Sequence, residues 1–212
     1  DKENVRKSVH TFILFMFILS IALSLLGVAL TPFLIKIIKA PPEVAKEEYI
    51  YLTIYFSGIS GLLLYNMGSA IFRAVGNSRL PFIFLVVSAC LNIIMDLAFV
   101  IVLKMGTSGV ALATIISQAI SALLVLGALK ITQSQVSFKF RELKINWKIL
   151  SRIIFIGLPS AIQMAVTAFS NVFVQSYINQ FGADVMGGWT AYNKVDQIIF
   201  LPMQCMGLAA MT

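Results

Sequence analysis

The chain has 212 residues, of which 59% are hydrophobic and only 12% charged, with a mean hydropathy of +0.92 and a formal net charge of +7. A water-soluble domain is about a quarter charged, so this composition excludes an ordinary globular domain and points to a lipid bilayer. The basic excess gathers in short loops between apolar segments, where lipid accounts for it, and no nucleic-acid partner is expected.

Six segments are long enough to cross a bilayer, which takes about 20 apolar residues. The first runs from Val9 to Ile38 and is closed by Ala40-Pro41-Pro42; the second covers Tyr49 to Val75 and is broken by Gly76-Asn77-Ser78. The third, Leu80 to Leu103, is separated by the expected tight turn Met105-Gly106-Thr107-Ser108-Gly109 from the fourth, Gly106 to Leu129. A polar stretch, Lys130 to Lys148, precedes the fifth, Ile149 to Phe181, and the sixth starts near Asp184. These lengths are too great for barrel strands, and only helices satisfy their own backbone in lipid, so the expected class is all-α, a polytopic membrane helix bundle. Pro32, Pro159 and Pro202 fall inside helices and are expected to kink them.

The distribution of Lys and Arg gives the orientation. Lys2, Arg6, Lys7, Arg73, Arg79 and the basic residues of Lys130–Lys148 fall on one side, against Lys36, Lys39, Lys46 and Lys104 on the other. The positive-inside rule puts the N-terminal end and the polar stretch in the cytoplasm of a multi-pass cell-membrane protein. With Phe138, Phe140 and Trp147 among its charges, that stretch is expected to lie on the membrane surface as a boundary between residues 1–130 and 149–212, the linker itself being 131–148. The chain begins at Asp1 and stops at Thr212 inside an apolar run, and it is expected to be an internal piece of a longer protein. Cys90 and Cys205 both sit in apolar segments and read as free thiols.

The polar residues inside the apolar segments carry the functional signal. Asp96 and Asp196 are the acidic residues well inside such segments, and ionisable groups there are functional by default. Ser88, Asn92 and Asp96 follow one another in steps of four on one helix face; Thr114, Ser117, Gln118 and Ser121 are at helical spacing on the next helix. Gln163, Thr167, Asn171 and Gln175 form a ladder on the fifth, read either as cavity lining or as interhelical glue. Serines and threonines more often bond their own backbone, and Lys194 and Asp196, two residues apart, point away from each other. No Walker loop, HExxH or GxGD-like setting is present and the single histidine, His10, sits at a membrane edge, so no enzyme and no cofactor are expected.

NMGSAIFRAVGNSRLP (Asn66 to Pro81), LNIIMD (Leu91 to Asp96), GTSGVALATIISQ (Gly106 to Gln118) and GLPSAIQ (Gly157 to Gln163) follow in an order and spacing that resemble the multidrug and toxic compound extrusion (MATE) family. The resemblance is to its bacterial branch, similar to DNA-damage-inducible protein F and the Gram-positive multidrug exporters, and it extends over essentially the whole chain. It implies twelve helices in two pseudo-symmetric six-helix lobes, of which these six would be the third to the eighth, with Lys130–Lys148 as the linker between lobes. It also implies exchange of lipophilic, often cationic compounds for Na+ or H+ by alternating access. Asn92 and Asp96 match the family's Asn-x-x-x-Asp pair and Thr114 a threonine of the same cation site; Asp96 and Asn92 would hold the ion if it is Na+. The family's first helix supplies a further acid, which this chain lacks. Gln163, Thr167, Asn171, Asn66 and Asp196 are then candidate cavity-lining residues. The expected partners are the small-molecule substrate, the bilayer and the rest of the transporter; six helices alone are expected to be inactive. The rival readings are a lipid-linked oligosaccharide flippase of the same superfamily and a channel or bundle with no transport cycle.

Overall fold

The computed structural model describes residues 2–38, 44–132 and 143–210, and the secondary structure there is helical throughout. Its helices are α1 (Lys2–Ile38), α2 (Ala45–Ala74), α3 (Arg79–Leu97), α4 (Gly106–Ile131), α5 (Trp147–Ile178) and α6 (Ala183–Ala210). A π-helical turn, Ala98–Val102, extends α3, and a short 3-10 turn, Asn179–Phe181, extends α5. Five of the six are long and apolar enough to cross a bilayer: Glu3–Ile38, Ala45–Ala74, Arg79–Val102, Gly106–Ile131 and Trp147–Phe181. The sixth, α6, forms as a helix as expected; among the described residues it falls below that measure of apolarity, with Lys194, Asp196 and several polar neighbours lowering its hydropathy.

α4 opens at Gly106, as expected, and Thr107 to Gly109, expected in the turn, are helical, so the turn after α3 is tighter than the glycines suggested. The reversal is made by Lys104 and Gly106, both left-handed (φ 53° and 58°), with the Met105 N–H reaching back to the Phe99 carbonyl at 2.9 Å. The expected linker is narrowed by α4 running to Ile131 and α5 starting at Trp147, where the Asn146 side chain caps the N–H groups of Lys148 and Ile149. Residues 133–142 of that linker, and the Ala40-Pro41-Pro42 stop, lie outside the described residues. Each of Pro32, Pro159 and Pro202 sits within continuous helix, lacking the N–H that the preceding turn would have accepted.

The helices pack in the spatial order α3, α4, α2, α1, α5, α6. Without a hydrophobic drive between helices in lipid, close contact depends on small residues and on hydrogen bonds. The contact of α2 with α4 shows this: Gly58 faces Ile115, Gly68 faces Val125, and Gly61 lies against the α4 backbone at Gln118 and Ala119. Ser24 of α1 donates to the Phe56 carbonyl of α2 at 2.6 Å. Near the Lys2 end, Val9, Ile13, Tyr65, Met67, Ile71, Phe72, Val125 and Leu129 close into the buried core. Within it the Tyr65 hydroxyl donates to the Pro81 carbonyl at 2.9 Å, one of the few contacts between α2 and α3. Tyr65→Phe is expected to lower stability by about 1 kcal/mol, read as a lower thermal unfolding midpoint in detergent, and an unchanged midpoint would show the bond to be idle.

α5 meets α1 at both ends. The Thr11 hydroxyl accepts from the Asn146 N–H at 3.1 Å near one end, and the Asn179 side chain donates to the Ile38 carbonyl at 3.2 Å near the other. Between these ties α5 is uncovered, Leu150 being its one buried residue.

Candidate functional site

The candidate site is built on the α3–α4 contact. Ser88 is buried and its hydroxyl donates to the Ser117 carbonyl of α4 at 2.7 Å. This bond turns one face of α3 toward α4, and Asn92 and Asp96 lie one and two turns further along that face. Both residues are half-buried, yet Asn92 Nδ2 and Asp96 Oδ1 are buried atoms with no hydrogen-bond partner among the described residues. They are therefore not bonded to each other, although one is a donor and the other an acceptor one turn away.

An unsatisfied buried polar atom costs about 1–3 kcal/mol, and more when it is charged. Thr53, Ser69 and Ser121 also have unpartnered buried hydroxyls. A lone hydroxyl is the smaller penalty, because a carboxylate oxygen can carry charge and a hydroxyl does not. Asp96 Oδ1 is thus the costliest of these unpartnered buried oxygens among the described residues. Among the described residues no group of three or more His, Cys, Asp or Glu gathers to hold a metal ion, so a cation here would rely on one carboxylate and neutral oxygens.

Thr114 lies on α4, half-buried, with its hydroxyl donating to its own helix at the Val110 carbonyl, 2.9 Å away. Its proton is committed but its oxygen can still accept. Ser117 likewise donates to the Thr114 carbonyl at 2.8 Å. Immediately beyond Asp96 the helix widens into the π-turn Ala98–Val102, with the Leu103 N–H bonded to the Ala98 carbonyl at 3.0 Å. Such turns recur at functional sites.

The structure does not bring the other candidates to this place. Gln163, Thr167 and Asn171 are exposed along α5, on a helix that packs little of its length, and Thr167 bonds back to the Gln163 carbonyl at 3.2 Å. Asn66 is exposed on α2, and on α6 Asp196 is half-buried beside exposed Lys194. Gln175, the last rung of the ladder, has a partner that spacing could not give: its amide donates to Asn179 Oδ1 at 2.8 Å, which holds Asn179 against Ile38. Asn179 itself escaped the sequence reading, its only signal being its place just before the helix-ending Gly182.

Comparisons with known proteins agree on one family. The family model described as MatE matches residues 1–98. A relative described as "Probable multidrug resistance protein YpnP", from Bacillus subtilis (strain 168), is 31% identical over 209 residues, covering 99% of this chain and 46% of the relative. A solved structure of a multidrug resistance MATE family transporter in an inward-facing conformation superposes with a TM-score of 0.84 at 23% identity, over 95% of this chain and 46% of that one. One in an outward-facing conformation gives 0.75 at 22% identity, over 94% and 44%. The chain spans about half the length of the curated relatives it matches.

Proposed function

The chain belongs to the MatE family, and from that premise we propose that it works within a secondary antiporter that exports lipophilic, often cationic compounds in exchange for Na+ or H+. The observation that carries the coupling is the buried, unpartnered Asp96 Oδ1 on a face shared with Asn92. In this mechanism a Na+ or H+ settles on Asp96, Asn92 orients the carboxyl or supplies its side-chain oxygen, and the Thr114 oxygen contributes a further neutral ligand. Neutralising Asp96 favours one arrangement of the two lobes, of which residues 1–130 are part of the first and 149–212 the start of the second, and the exported compound binds the arrangement that the ion disfavours. In this reading Gln163, Thr167 and Asn171, exposed along α5, contribute to the passage for the exported compound, with Asn66 of α2 and Asp196 of α6 as further candidates. In this reading the N-terminal end of α1 and the linker lie in the cytoplasm, which the excess of basic residues on that side supports.

The test is transport by the full-length protein in vesicles. Efflux of a lipophilic cation is expected to follow an imposed Na+ or pH gradient and to stop when that gradient is collapsed. Translocation of a lipid-linked sugar instead, or flux indifferent to both gradients, would overturn the reading.

Alternating access in this frame needs α1 and α5 to part at the Ile38 end when the transporter opens outward. The Asn179 amide bonded to the Ile38 carbonyl, with Ser176 Oγ at 3.5 Å from the Ile37 carbonyl, holds them together there. These carbonyls end α1 and carry its partial negative charge, so the donors also cap the helix. Asn179→Ala is expected to raise the outward-open fraction about fivefold, one ordinary hydrogen bond's worth. Pulsed-EPR distances between labels on α1 and α5 at that end would report it, and an unchanged distribution would remove Asn179 from the gate.

A further inference from the structure

One residue before Asn179, Ile178 enters the wall of a cavity of about 440 Å³ between the end of α5 and the first turns of α6. Val185, Gly188, Trp189 and Tyr192 complete the lining, and the volume suits a small molecule. The chain reverses through Gly182 at φ 92°, so the two helices flank the space. The Trp189 and Tyr192 rings stack there, their centroids 5.5 Å apart and their planes 26° from parallel. Trp189 is half-buried and Tyr192 exposed, so the pair presents aromatic surface to the cavity. Gly188 keeps the wall open: a Cβ added there would meet nothing within 4 Å outside its own stretch of helix.

Asp196 follows Tyr192 by one turn and Trp189 by two on the same face of α6, about 6 Å beyond Tyr192 along the axis. It is half-buried, and among the described residues no cation pairs with it. Lys194, two residues away, is exposed and points across the helix. We propose that this cavity binds the flat ring system of an aromatic cation, which stacks on Trp189 and Tyr192 while Asp196 faces its charge. Charge complementarity selects this occupant. An aromatic face attracts a cation through its quadrupole, and the carboxylate one turn on adds to that attraction and repels an anion. A neutral ring gains the stacking alone. The inference deepens the transport reading and rests on it for the cation being cargo. A cation seated here stands beside the Asn179 tie, at the end where α1 and α5 part.

The test reads binding rather than transport. Purified full-length transporter in phosphatidylcholine nanodiscs is dialysed to equilibrium against ethidium, a flat aromatic cation, or phenanthridine, its uncharged ring system. Ethidium is expected to bind the more tightly. Gly188→Val, whose Cβ is unobstructed, should fill the cavity and weaken ethidium about tenfold at an unchanged thermal midpoint. Trp189→Ala should weaken it about fivefold. Asp196→Asn should weaken ethidium about fivefold and leave phenanthridine as it was. Trp147→Phe, at the far end of α5, should alter neither. Wild-type ethidium affinity in Gly188→Val, or equal loss of both ligands in Asp196→Asn, would overturn the proposal. A lowered midpoint in Gly188→Val would overturn it too, showing the space to be filled by another helix of the transporter. Efflux indifferent to gradients would sink antiport and leave these affinities standing, whereas wild-type affinities beside gradient-driven efflux would sink the cavity alone.

Discussion

Asp96→Asn in the full-length transporter is expected to abolish gradient-driven efflux while leaving the protein folded and inserted. The substitution keeps the size and the hydrogen-bonding shape of the side chain and removes only its ability to exchange a positive ion. Asp96 Oδ1 has no partner among the described residues, so no structural bond is lost with the charge. Removing an unpaired ionisable group from the oily part of a bilayer should even leave the fold slightly more stable. Coupling energies between an ion and a transported compound are about 1–3 kcal/mol, or about 5–150-fold in affinity, and that linkage is what disappears. Drug efflux should therefore fall to the rate seen with no gradient, measured with the same dye in vesicles of wild-type and variant. Asn92→Ala should weaken coupling less, since it removes a neutral neighbour and leaves the carboxylate in place. Gradient-driven efflux at the wild-type rate in Asp96→Asn would exclude the residue from coupling.

Gly61→Val should strongly damage the packing of α2 against α4. A Cβ at Gly61 would sit 3.0 Å from the Ala119 nitrogen and 3.0 Å from the Gln118 carbonyl carbon, and these are backbone atoms of α4 that cannot rotate aside. The neighbouring case differs: at Gly68 an added Cβ would meet the Val125 side chain at 2.7 Å, which has some freedom to adjust. Overpacking a tight contact costs about 1–3 kcal/mol, and backbone against backbone belongs at the upper end. Because α4 also carries Thr114 and faces Asp96, forcing α2 away from α4 disturbs the site as well as the fold. The expected readout is a sharp fall in monodisperse protein and in thermal midpoint. A midpoint equal to wild type would mean that α2 and α4 are not held this closely in the transporter.

The features legible in the sequence are those governed by local chemistry. Long apolar runs divided by Gly76-Asn77-Ser78 and by the charged stretch before Trp147 lead directly to helices, because lipid leaves the backbone no alternative. Asp96 stood out for the same reason, as a carboxylate where none is expected. What the sequence did not disclose depends on which faces meet. The stretch Ala98–Val102 is apolar throughout and carries no residue that announces a π-turn. Thr11 looks like any hydroxyl bonding its own helix, and it does so, yet it also anchors Asn146, 135 residues away. The steps of four from Gln163 to Asn171 correctly put these residues on one face but could not say what that face meets. The start of α6 was legible at Asp184, one residue from its first helical residue Ala183, whereas Lys194 and Asp196 lower its hydropathy and leave it short of the measure that the other five helices meet.

Coupling through Asp96 requires that this residue give up a positive ion when substrate binds. The direct measurement adds a lipophilic cation to purified full-length protein in weak buffer and follows released H+ with a pH dye and released Na+ with a sodium-selective electrode. About one ion per bound substrate is expected from the wild type, and none from Asp96→Asn. Substrate binding with no ion released, or equal release from the variant, would contradict it.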